Sequence, residues 1–269
     1  MPPKASILIP VFNGEKYLEN CLNSIYQSKR IHECEIIIVD DGSTDNTKRI
    51  LKKYTKTFNN ITVYSQKNQG IEAALNNGVQ KCNSELILRM DADDEFMPCR
   101  IDKQIKILDN NRELSWISSA AFLMDSEGKQ LVKTWAPNSK KILDCLDNHN
   151  FIIHPTVAFR KSAITSVGSY QKTTKFHEDV DLWRRLKDAK KKYLYISEPM
   201  IKYRISTSSI RLNNKQDAYM KLCKNLIYYG ARFQAIKKIR HLSFKYKLRI
   251  LIMIFFPTIF WKKRMLRKI

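Results

Sequence analysis

Short apolar runs alternate with amphipathic segments along the first 110 residues of the chain. Four runs are rich in Ile, Leu and Val, as strands buried on both faces of a sheet are, at 6–11, 35–40, 61–65 and 86–90. Other apolar residues recur at helical spacing: Tyr17, Leu18, Cys21, Leu22 and Ile25; Ile50, Leu51 and Tyr54; Ile71, Ala74, Leu75 and Val79. This alternation predicts an α/β fold with a doubly wound, mostly parallel sheet, helices on both faces and right-handed crossovers.

Polar residues at the strand ends predict both helix caps and a ligand site. Asn13 is placed to cap the first helix, and Ser43 and Thr44 precede the second. In open α/β sheets, ligands bind outside the carboxyl ends of the strands. Residues 10–13 lie at the end of the first strand. Two carboxylate clusters follow other strands: Asp40 and Asp41 the second, and Asp91, Asp93 and Asp94 the fourth. Carboxylates that converge in this way need a cation or hydrogen-bond donors.

Each carboxylate cluster also has a simpler interpretation. The segment 40–45, DDGSTD, is consistent with a turn and a helix cap. The acids at 91–95 could be a solvated cap on the next helix, which holds Ile101, Ile105 and Leu108, but four acids in five residues at the end of a buried strand favour a ligand. Mg²⁺ and Mn²⁺ prefer oxygen ligands and complete their shells with water and substrate phosphates. A D-x-D at a strand end therefore predicts a divalent cation held against a diphosphate.

Composition limits the size and the class of the protein. A chain of 269 residues with 43% hydrophobic content is expected to form one catalytic unit. Its six cysteines form no C-x-x-C pair, and no signal-like segment precedes the first strand, so we expect a reduced, cytosolic chain without structural zinc. The seven glycines form neither G-x-G-x-x-G nor a P-loop.

The excess of positive charge is concentrated in the C-terminal tail. The net charge is +22, and after Asp217 the sequence contains 14 Lys and Arg residues and no acid. The apolar run 250–261, interrupted by Pro257 and flanked by basic residues, is shorter than the roughly 20 residues that span a bilayer. The pattern favours a basic amphipathic helical segment on an anionic membrane surface. A buried C-terminal helix is the alternative, and nucleic-acid binding is disfavoured because no nucleic-acid fold motif accompanies the basic residues.

Ordered sequence blocks resemble those of glycosyltransferase family 2. On the donor side they are SILIPVFN (6–13), VDDGSTD (39–45), NQG (68–70), NNG (76–78) and RMDADD (89–94). On the acceptor side they are HPT (154–156), FRKS (159–162), VG (167–168), EDVDLW (178–183) and YR (203–204). The resemblance covers roughly residues 5–210, is greatest to small bacterial enzymes that build lipopolysaccharide or capsule, and implies a GT-A-like (Rossmann-like) fold.

The resemblance assigns roles to individual residues. It implies a nucleotide-sugar donor, expected to be a UDP-sugar, with Asp40 and Asp41 at the base, Asp91 near the ribose and Asp93 on Mn²⁺ or Mg²⁺; Asp91 is a second candidate metal ligand. The donor-binding candidates are Pro10, Phe12, Asn13, Glu15, Asp40, Asp41, Asn68, Gly70, Asn76, Arg89, Asp91 and Arg204. Asp179, paired with Glu178, resembles the family's catalytic base.

One base and one cation suffice for an inverting transfer. The base takes the proton of the acceptor hydroxyl, and a metal on the leaving diphosphate removes the need for a general acid. Glu178 and Asp179 would also complement the dipole of a helix N-terminus, which is compatible with catalysis. His154 and His177 are expected to be secondary. The chain departs from the family pattern at Ser206, where a histidine is common, and at Leu75, where an arginine is common.

These observations predict an inverting, metal-dependent glycosyltransferase that uses a glycan or glycolipid acceptor in cell-surface glycan synthesis. Residues 1–110 form the nucleotide-sugar-binding half, 111–212 the acceptor-binding half with the base, and 213–269 a membrane-associating tail. We expect a peripheral protein on the cytoplasmic face of the membrane. The alternative is a non-catalytic, membrane-surface protein that binds nucleotide-sugars or polyanions. The sequence does not indicate an oligomeric state.

Overall fold

The computed structural model describes residues 2–146, 150–172 and 178–205, and beyond these only 236, 239, 243–244, 247–248 and 250–251. Strands and helices alternate in the first part of the chain, as the sequence predicts. The strands are β1 Ala5–Val11, β2 Cys34–Asp40, β3 Ile61–Ser65, β4 Leu86–Arg89, β5 Glu95–Phe96, β6 Leu114–Met124, β7 Gln130–Lys133, β8 Ala158–Arg160 and β9 Lys192–Arg204. The α-helices are α1 Leu18–Tyr26, α2 Thr47–Thr57, α3 Ile71–Lys81, α4 Arg100–Asn110, α5 Ser139–Asp144, α6 Lys161–Thr165 and α7 Glu178–Asp188.

The sheet combines a parallel half with an antiparallel half. Its strand order is β3-β2-β1-β4-β8-β6-β9-β5, and β7 pairs with β6. Strands β3, β2, β1 and β4 are parallel to one another, and β8 joins β4 antiparallel. The register places Val11 opposite Asp40 and Leu8 opposite Arg89. The carboxyl ends of the parallel strands therefore lie along one edge, and the α/β fold class is confirmed.

Both faces of the sheet are covered. Leu8 and Val39 belong to a core cluster with Leu75 and Val79 of α3. Ile7 and Ile9, which point to the opposite face because alternate strand residues do, are also fully buried. Every residue of β1 is buried, as expected for a strand that is covered on both faces.

Two predicted helix caps are wrong. Helix α1 begins at Leu18, and Asn13 lies upstream with φ 52°, where its side-chain carbonyl accepts the Thr44 N–H. Helix α2 begins at Thr47 after Asn46, so Ser43 and Thr44 belong to the preceding loop. In both cases, the polar side chain of one loop bonds to the other loop instead of capping its own helix.

The chain divides into two compact units. The first contains Met1–Ala121 and Ala136–Tyr203, and so includes most of both predicted halves. The second contains Phe122–Trp135 and the residues from Arg204 onward; within it, β7 pairs with the end of β6. The predicted tail, 213–269, lies mostly outside the described residues. Where the structure describes a helix, none is long and apolar enough to cross a bilayer.

Candidate active site

The loops after β1 and β2 are bound to each other by hydrogen bonds. Asn13 N donates to Ser43 Oγ (2.9 Å), and Thr44 N donates to Asn13 Oδ1 (2.8 Å). Glu15 Oε2 accepts from the backbone and side-chain nitrogens of Asn46 at 3.0 and 2.9 Å. The side chains of Asn13 and Glu15, both predicted donor contacts, are thus engaged in joining these loops at the carboxyl edge.

Asp40 and Asp41 have different surroundings, although they are adjacent. The Asp41 carboxylate accepts three hydrogen bonds, from Gln66 Nε2 (2.8 Å), Gln69 N (2.9 Å) and Gly70 N (2.9 Å). It therefore fixes the loop between β3 and α3. Asp40 is fully buried and accepts only from Ser43 N, at Oδ1; among the described residues, its Oδ2 has no partner. Asp40 thus retains an acceptor for a ligand.

Three carboxylates cluster beyond β4. Oxygens of Asp91, Asp93 and Asp94 all lie within 4.8 Å of one another. Arg89, 3% exposed at the end of β4, places Nη2 at 2.6 Å from Asp91 Oδ1. The backbone carbonyl of Arg89 in turn accepts from the fully buried guanidinium of Arg100, at 2.7 Å. One buried cation therefore balances part of the negative charge of the cluster.

The cluster fits a hard divalent cation. All of its ligand atoms are carboxylate oxygens, which Mg²⁺ and Mn²⁺ prefer over nitrogen or sulfur. Asp91 and Asp93 are partly exposed, so a substrate phosphate can reach the same ion, whereas Asp94 is buried. The arrangement matches the predicted D-x-D site. Ser206, where the family resemblance led us to expect a histidine, lies outside the described residues.

The predicted base begins a rigid helix. Glu178 and Asp179 are the first residues of α7, which is anchored by the fully buried Trp183, stacked on Trp116. Asp179 Oδ2 accepts from Asn150 Nδ2 (3.2 Å), and its Oδ1 accepts from the Val180 N–H (2.8 Å). These bonds orient the carboxylate. Burial and the neighbouring Asp179 charge raise the pKa of Glu178.

Tyr170 is affected by charged residues of both predicted halves of the chain, 1–110 and 111–212, and His154 lies next to it. His154 Nε2 is 2.8 Å from Tyr170 Oη. Burial raises the pKa of Tyr170; the Arg89 charge lowers it, and the charges of Asp179, Glu178 and Asp91 raise it. Burial and Arg89 together hold the pKa of His154 well below its usual value of 6.5. The structure thus brings the predicted metal ligand Asp91 and the predicted base Asp179 into one electrostatic environment.

Two further donor-binding candidates, Asn76 and Arg204, form hydrogen bonds to the protein backbone. The Asn76 amide is occupied by the backbone of Tyr170: Nδ2 donates to its carbonyl at 2.7 Å, and Oδ1 accepts its N–H at 3.0 Å. Asn76 therefore holds the protein chain, where the sequence predicted a donor contact. Arg204 belongs to the second unit, where it donates to the Asp125 carbonyl.

Four further candidates lie on or near the carboxyl edge. Pro10 is buried within β1, Phe12 is 43% exposed just after it, Asn68 is exposed, and Gly70 has φ 94° at the start of α3. A side chain is disfavoured at that φ, so Gly70 allows the turn that brings its N–H to Asp41. His177 lies outside the described residues.

The protein-family model for glycosyl transferase family 2 matches residues 6–168, more than half of the chain. The chain belongs to glycosyltransferase family 2. It is 33% identical over 184 residues to the amylovoran biosynthesis glycosyltransferase AmsE of Erwinia amylovora, covering 67% of this chain and 68% of the relative. It is 30% identical over 188 residues to the Escherichia coli UDP-Gal:alpha-D-GlcNAc-diphosphoundecaprenol beta-1,3-galactosyltransferase, covering 67% and 66%. The chain is therefore a glycosyltransferase, and the non-catalytic alternative is set aside.

Solved structures support the fold of this glycosyltransferase. S. aureus TarS 1-349 in complex with UDP-GlcNAc superposes with a TM-score of 0.61 at 16% identity, covering 89% of this chain and 73% of that one. The mannosyltransferase PcManGT from Pyrobaculum calidifontis, in complex with GDP-Man and Mn²⁺, gives 0.58 at 15% identity, covering 94% and 74%. At such identities, the likeness concerns the fold alone, and it confirms the GT-A-like expectation.

Sequence reasoning missed three polar residues of this glycosyltransferase site. The Tyr170 hydroxyl is hydrogen-bonded to His154, Asn150 donates to Asp179, and Arg100 donates to the backbone carbonyl of Arg89. His154 was visible in the HPT block but was assigned a secondary place. No local pattern marks Tyr170 or Asn150, since each acts on a residue that is distant in sequence.

Proposed function

We propose that this glycosyltransferase is metal-dependent and inverting, and that it moves a sugar from a UDP-sugar to a hydroxyl of a glycan or glycolipid acceptor in cell-surface glycan synthesis. The observation that carries the proposal is the presence of two carboxylate groups, one just after β4 and one at the start of α7. One is the acidic cluster at Asp91 and Asp93, and the other is the pair Glu178 and Asp179. One cation site and one base are the set that an inverting transfer requires.

The donor nucleotide binds at the carboxyl edge of β1 and β2. Asp40 Oδ2 is a buried acceptor without a partner among the described residues, and an N–H group of the base, such as that of uracil, satisfies it. Asp41 contributes indirectly, because it fixes the loop from Gln66 to Gly70. Phe12, exposed at the same edge, offers a ring face to the base.

The acidic cluster holds the cation. Asp93 and Asp91 would hold Mn²⁺ or Mg²⁺, which would supply a Lewis acid for the negative charge of the diphosphate leaving group. Arg89 holds Asp91 in place by the ion pair at 2.6 Å. The mannosyltransferase PcManGT, solved in complex with GDP-Man and Mn²⁺, supports the choice of ion.

Asp179 is the base. It takes the proton of the acceptor hydroxyl as that oxygen attacks the anomeric carbon, while the bond from that carbon to the diphosphate breaks on the opposite side. Asn150 and the Val180 N–H each bond to one oxygen of the carboxylate and so hold it in place. Trp183, which stacks on Trp116, anchors the helix α7 that carries the base.

The relatives support the substrate class. The E. coli relative is named for a UDP-galactose donor and a diphosphoundecaprenol-linked acceptor, and AmsE for the biosynthesis of amylovoran. A lipid-linked acceptor places the enzyme at a membrane surface. Phe244 and Leu248 lie four residues apart in the basic tail and are 81% and 51% exposed, which suits insertion into an anionic bilayer surface.

Two single-residue variants test the proposal. Asp179→Asn should lower kcat by about 100-fold or more while donor affinity, measured by calorimetry with Mn²⁺, stays within about twofold. Asp93→Asn should abolish the Mn²⁺-dependent part of donor binding. Asp188→Asn, an exposed change at the other end of α7, is the control for Asp179. Near-normal transfer by Asp179→Asn would refute the assignment of the base.

The tail is tested with vesicles. Phe244→Ser combined with Leu248→Ser should reduce co-sedimentation with phosphatidylglycerol vesicles and leave turnover on a water-soluble acceptor unchanged. Neutral phosphatidylcholine vesicles are the control for electrostatic binding. Equal co-sedimentation of the double variant and the unchanged chain would exclude membrane insertion by these two residues.

A further inference from the structure

Two buried side chains, Tyr170 and His154, form a row with the partly buried Glu178 of the catalytic pair. His154, 8% exposed, has Nε2 at 2.8 Å from Tyr170 Oη, and on its other side Nδ1 faces Glu178 Oε1 at 4.0 Å. The second distance is longer than a hydrogen bond, and such contacts often shorten only when substrate binds. The proposed mechanism so far uses neither Tyr170 nor His154.

The row is held at both ends. The Tyr170 backbone is fixed by two hydrogen bonds to the Asn76 amide on α3, 94 residues away in sequence. The His154 ring meets Trp183 edge-on, with ring centroids 5.5 Å apart and planes at 85°. Trp183 lies on α7, the helix that begins with Glu178 and Asp179. The imidazole therefore has a fixed plane relative to the catalytic pair.

Burial and the Arg89 charge determine whether Tyr170 and His154 are protonated or neutral. His154 is neutral near pH 7, because burial and Arg89 depress its pKa, and burial keeps the proton on Tyr170. A neutral imidazole has one N–H and one acceptor nitrogen. If Tyr170 donates to Nε2, the N–H is on Nδ1 and points at the Glu178 carboxylate. The opposite tautomer would direct a lone pair at that carboxylate.

We propose that Tyr170 and His154 are positioning residues: the Tyr170 hydroxyl fixes the Nδ1–H tautomer of His154, and that N–H holds Glu178 so that the neighbouring Asp179 stays ionised and available to the acceptor. The proposal rests on the proposed function, since it assigns a role toward the base of that reaction. It links Asn76, in the donor-binding half, to the catalytic pair through Tyr170.

The charged groups that act on Glu178 explain why an N–H donor matters. Burial is the largest cause of its raised pKa; Asp179 and Glu72 raise that pKa further, and Arg89 lowers it. Two adjacent carboxylates take up protons as a pair. Without the N–H of His154, the pair takes up a proton at higher pH, and a protonated Glu178 donates to Asp179 and occupies the base.

The test compares two variants of His154 whose amide groups each replace one of the two imidazole nitrogens. An Asn side chain can place its NH₂ near the former Nδ1, whereas Gln reaches the former Nε2. His154→Gln and Tyr170→Phe should therefore move the acidic limb of the kcat profile upward by about 0.5 pH unit or more, with donor KM within about twofold. His154→Asn should shift that limb less than His154→Gln. An acidic limb that does not move in His154→Gln and Tyr170→Phe would overturn the proposal.

A second measurement needs no variant. In the unchanged protein, with ¹⁵N-labelled histidine, the two ring nitrogens of His154 should show the shifts of the neutral Nδ1–H tautomer at pH 7. The Nε2–H tautomer or an imidazolium would overturn the proposal, whatever the activity. Failure of the proposed function appears separately, as full transfer activity in Asp179→Asn.

Discussion

Arg89 Nη2 and Asp91 Oδ1 form an ion pair of 2.6 Å at the end of β4, with Arg89 almost wholly buried and Asp91 partly exposed. The pair joins the buried end of β4 to the acidic cluster. Nε and Nη1 of Arg89 are buried without hydrogen-bond partners in the part of the chain that the structure describes. The ion pair with Asp91 is therefore the main compensation for the buried charge.

Arg89→Gln should destabilise the metal-free enzyme and make it more responsive to metal. Because Asp91, the partner left behind, is partly exposed and can be hydrated, the loss should be smaller than the roughly 3–5 kcal/mol that removing one partner of a fully buried pair costs. The loss of a positive charge should also strengthen cation binding to Asp91 and Asp93, so Mn²⁺ should raise the Tm of the variant by more than that of the unchanged protein. Thermal unfolding with and without Mn²⁺ measures both effects.

Arg112→Gln, at an exposed position after α4, is the control for the loss of one arginine charge. It should leave the Tm and the effect of Mn²⁺ nearly unchanged. A metal-dependent rise in Tm that is the same in Arg89→Gln and in the unchanged protein would contradict the competition between Arg89 and the cation for Asp91.

Asp41→Asn should lower the stability of the protein, whereas Asp40→Asn should weaken donor binding. Asn at 41 has one acceptor oxygen, so it cannot replace a carboxylate that accepts three bonds, and hydrogen bonds to a charged group are worth about 1.5–3 kcal/mol. At 40, Asn keeps the acceptor for Ser43 N but replaces the unpartnered oxygen by a donor. Urea unfolding should detect the first change, and donor calorimetry the second.

Hydrogen exchange adds a local measurement for these two variants. In Asp41→Asn, the amides of Gln69 and Gly70 should lose protection, while in Asp40→Asn they should not. If Asp40→Asn binds the donor normally, the buried oxygen of Asp40 does not contact the nucleotide.

The elements and the site were predictable from sequence to different degrees. The four parallel strands could be predicted because each is a short run rich in Ile, Leu or Val, and the convergence of Asp40 and Asp91 follows from strand ends sharing one edge. The hydrogen-bond partners of Asp41 and Asn76 could not be predicted. Those of Asp41 lie 25–29 residues away in sequence and that of Asn76 lies 94 residues away, and no periodicity in the sequence indicates such pairs. The caps failed for the same reason: Asn13 is as good a cap as any, but the loop after β2 offers it a better partner.

The close packing of α3 on the sheet was also invisible in the sequence. An added Cβ at Gly78 would lie 2.2 Å from Leu8 Cδ1 and 3.1 Å from Val39 Cγ2. Leu8 is fully buried, so its side chain has little free space to move into. Gly78 in the NNG block is therefore required by helix–sheet contact, whatever role the block has in binding.

Gly78→Ala should destabilise the protein even though alanine is the better helix former. The helical preference of Ala over Gly is worth up to about 1 kcal/mol, whereas overpacking a core costs about 1–3 kcal/mol. Gln80→Ala, at an exposed position on the same helix, should be nearly neutral. Urea unfolding of the two variants would decide the matter, and a more stable Gly78→Ala would show that α3 can shift away from the sheet.

His154 makes stability depend on pH in a direction that follows from its burial. Its pKa in the folded protein is well below the unfolded value of 6.5, so the folded state holds the neutral ring while the unfolded state takes up a proton below pH 6.5. The stabilisation is fully present above that pH and is lost as the pH falls toward the folded pKa, by up to about 1.4 kcal/mol per pH unit.

His154→Asn has no proton to take up, so its unfolding free energy should fall less than that of the unchanged protein between pH 7.5 and 5.5, by about 1 kcal/mol at the lower end. His32→Asn is the matched control, because the His32 side chain is 74% exposed; its pH dependence should follow that of the unchanged protein. Parallel curves for His154→Asn and the unchanged protein would mean that His154 can be protonated in the folded state, and the neutral tautomer that aims its N–H at Glu178 could not then be the resting form.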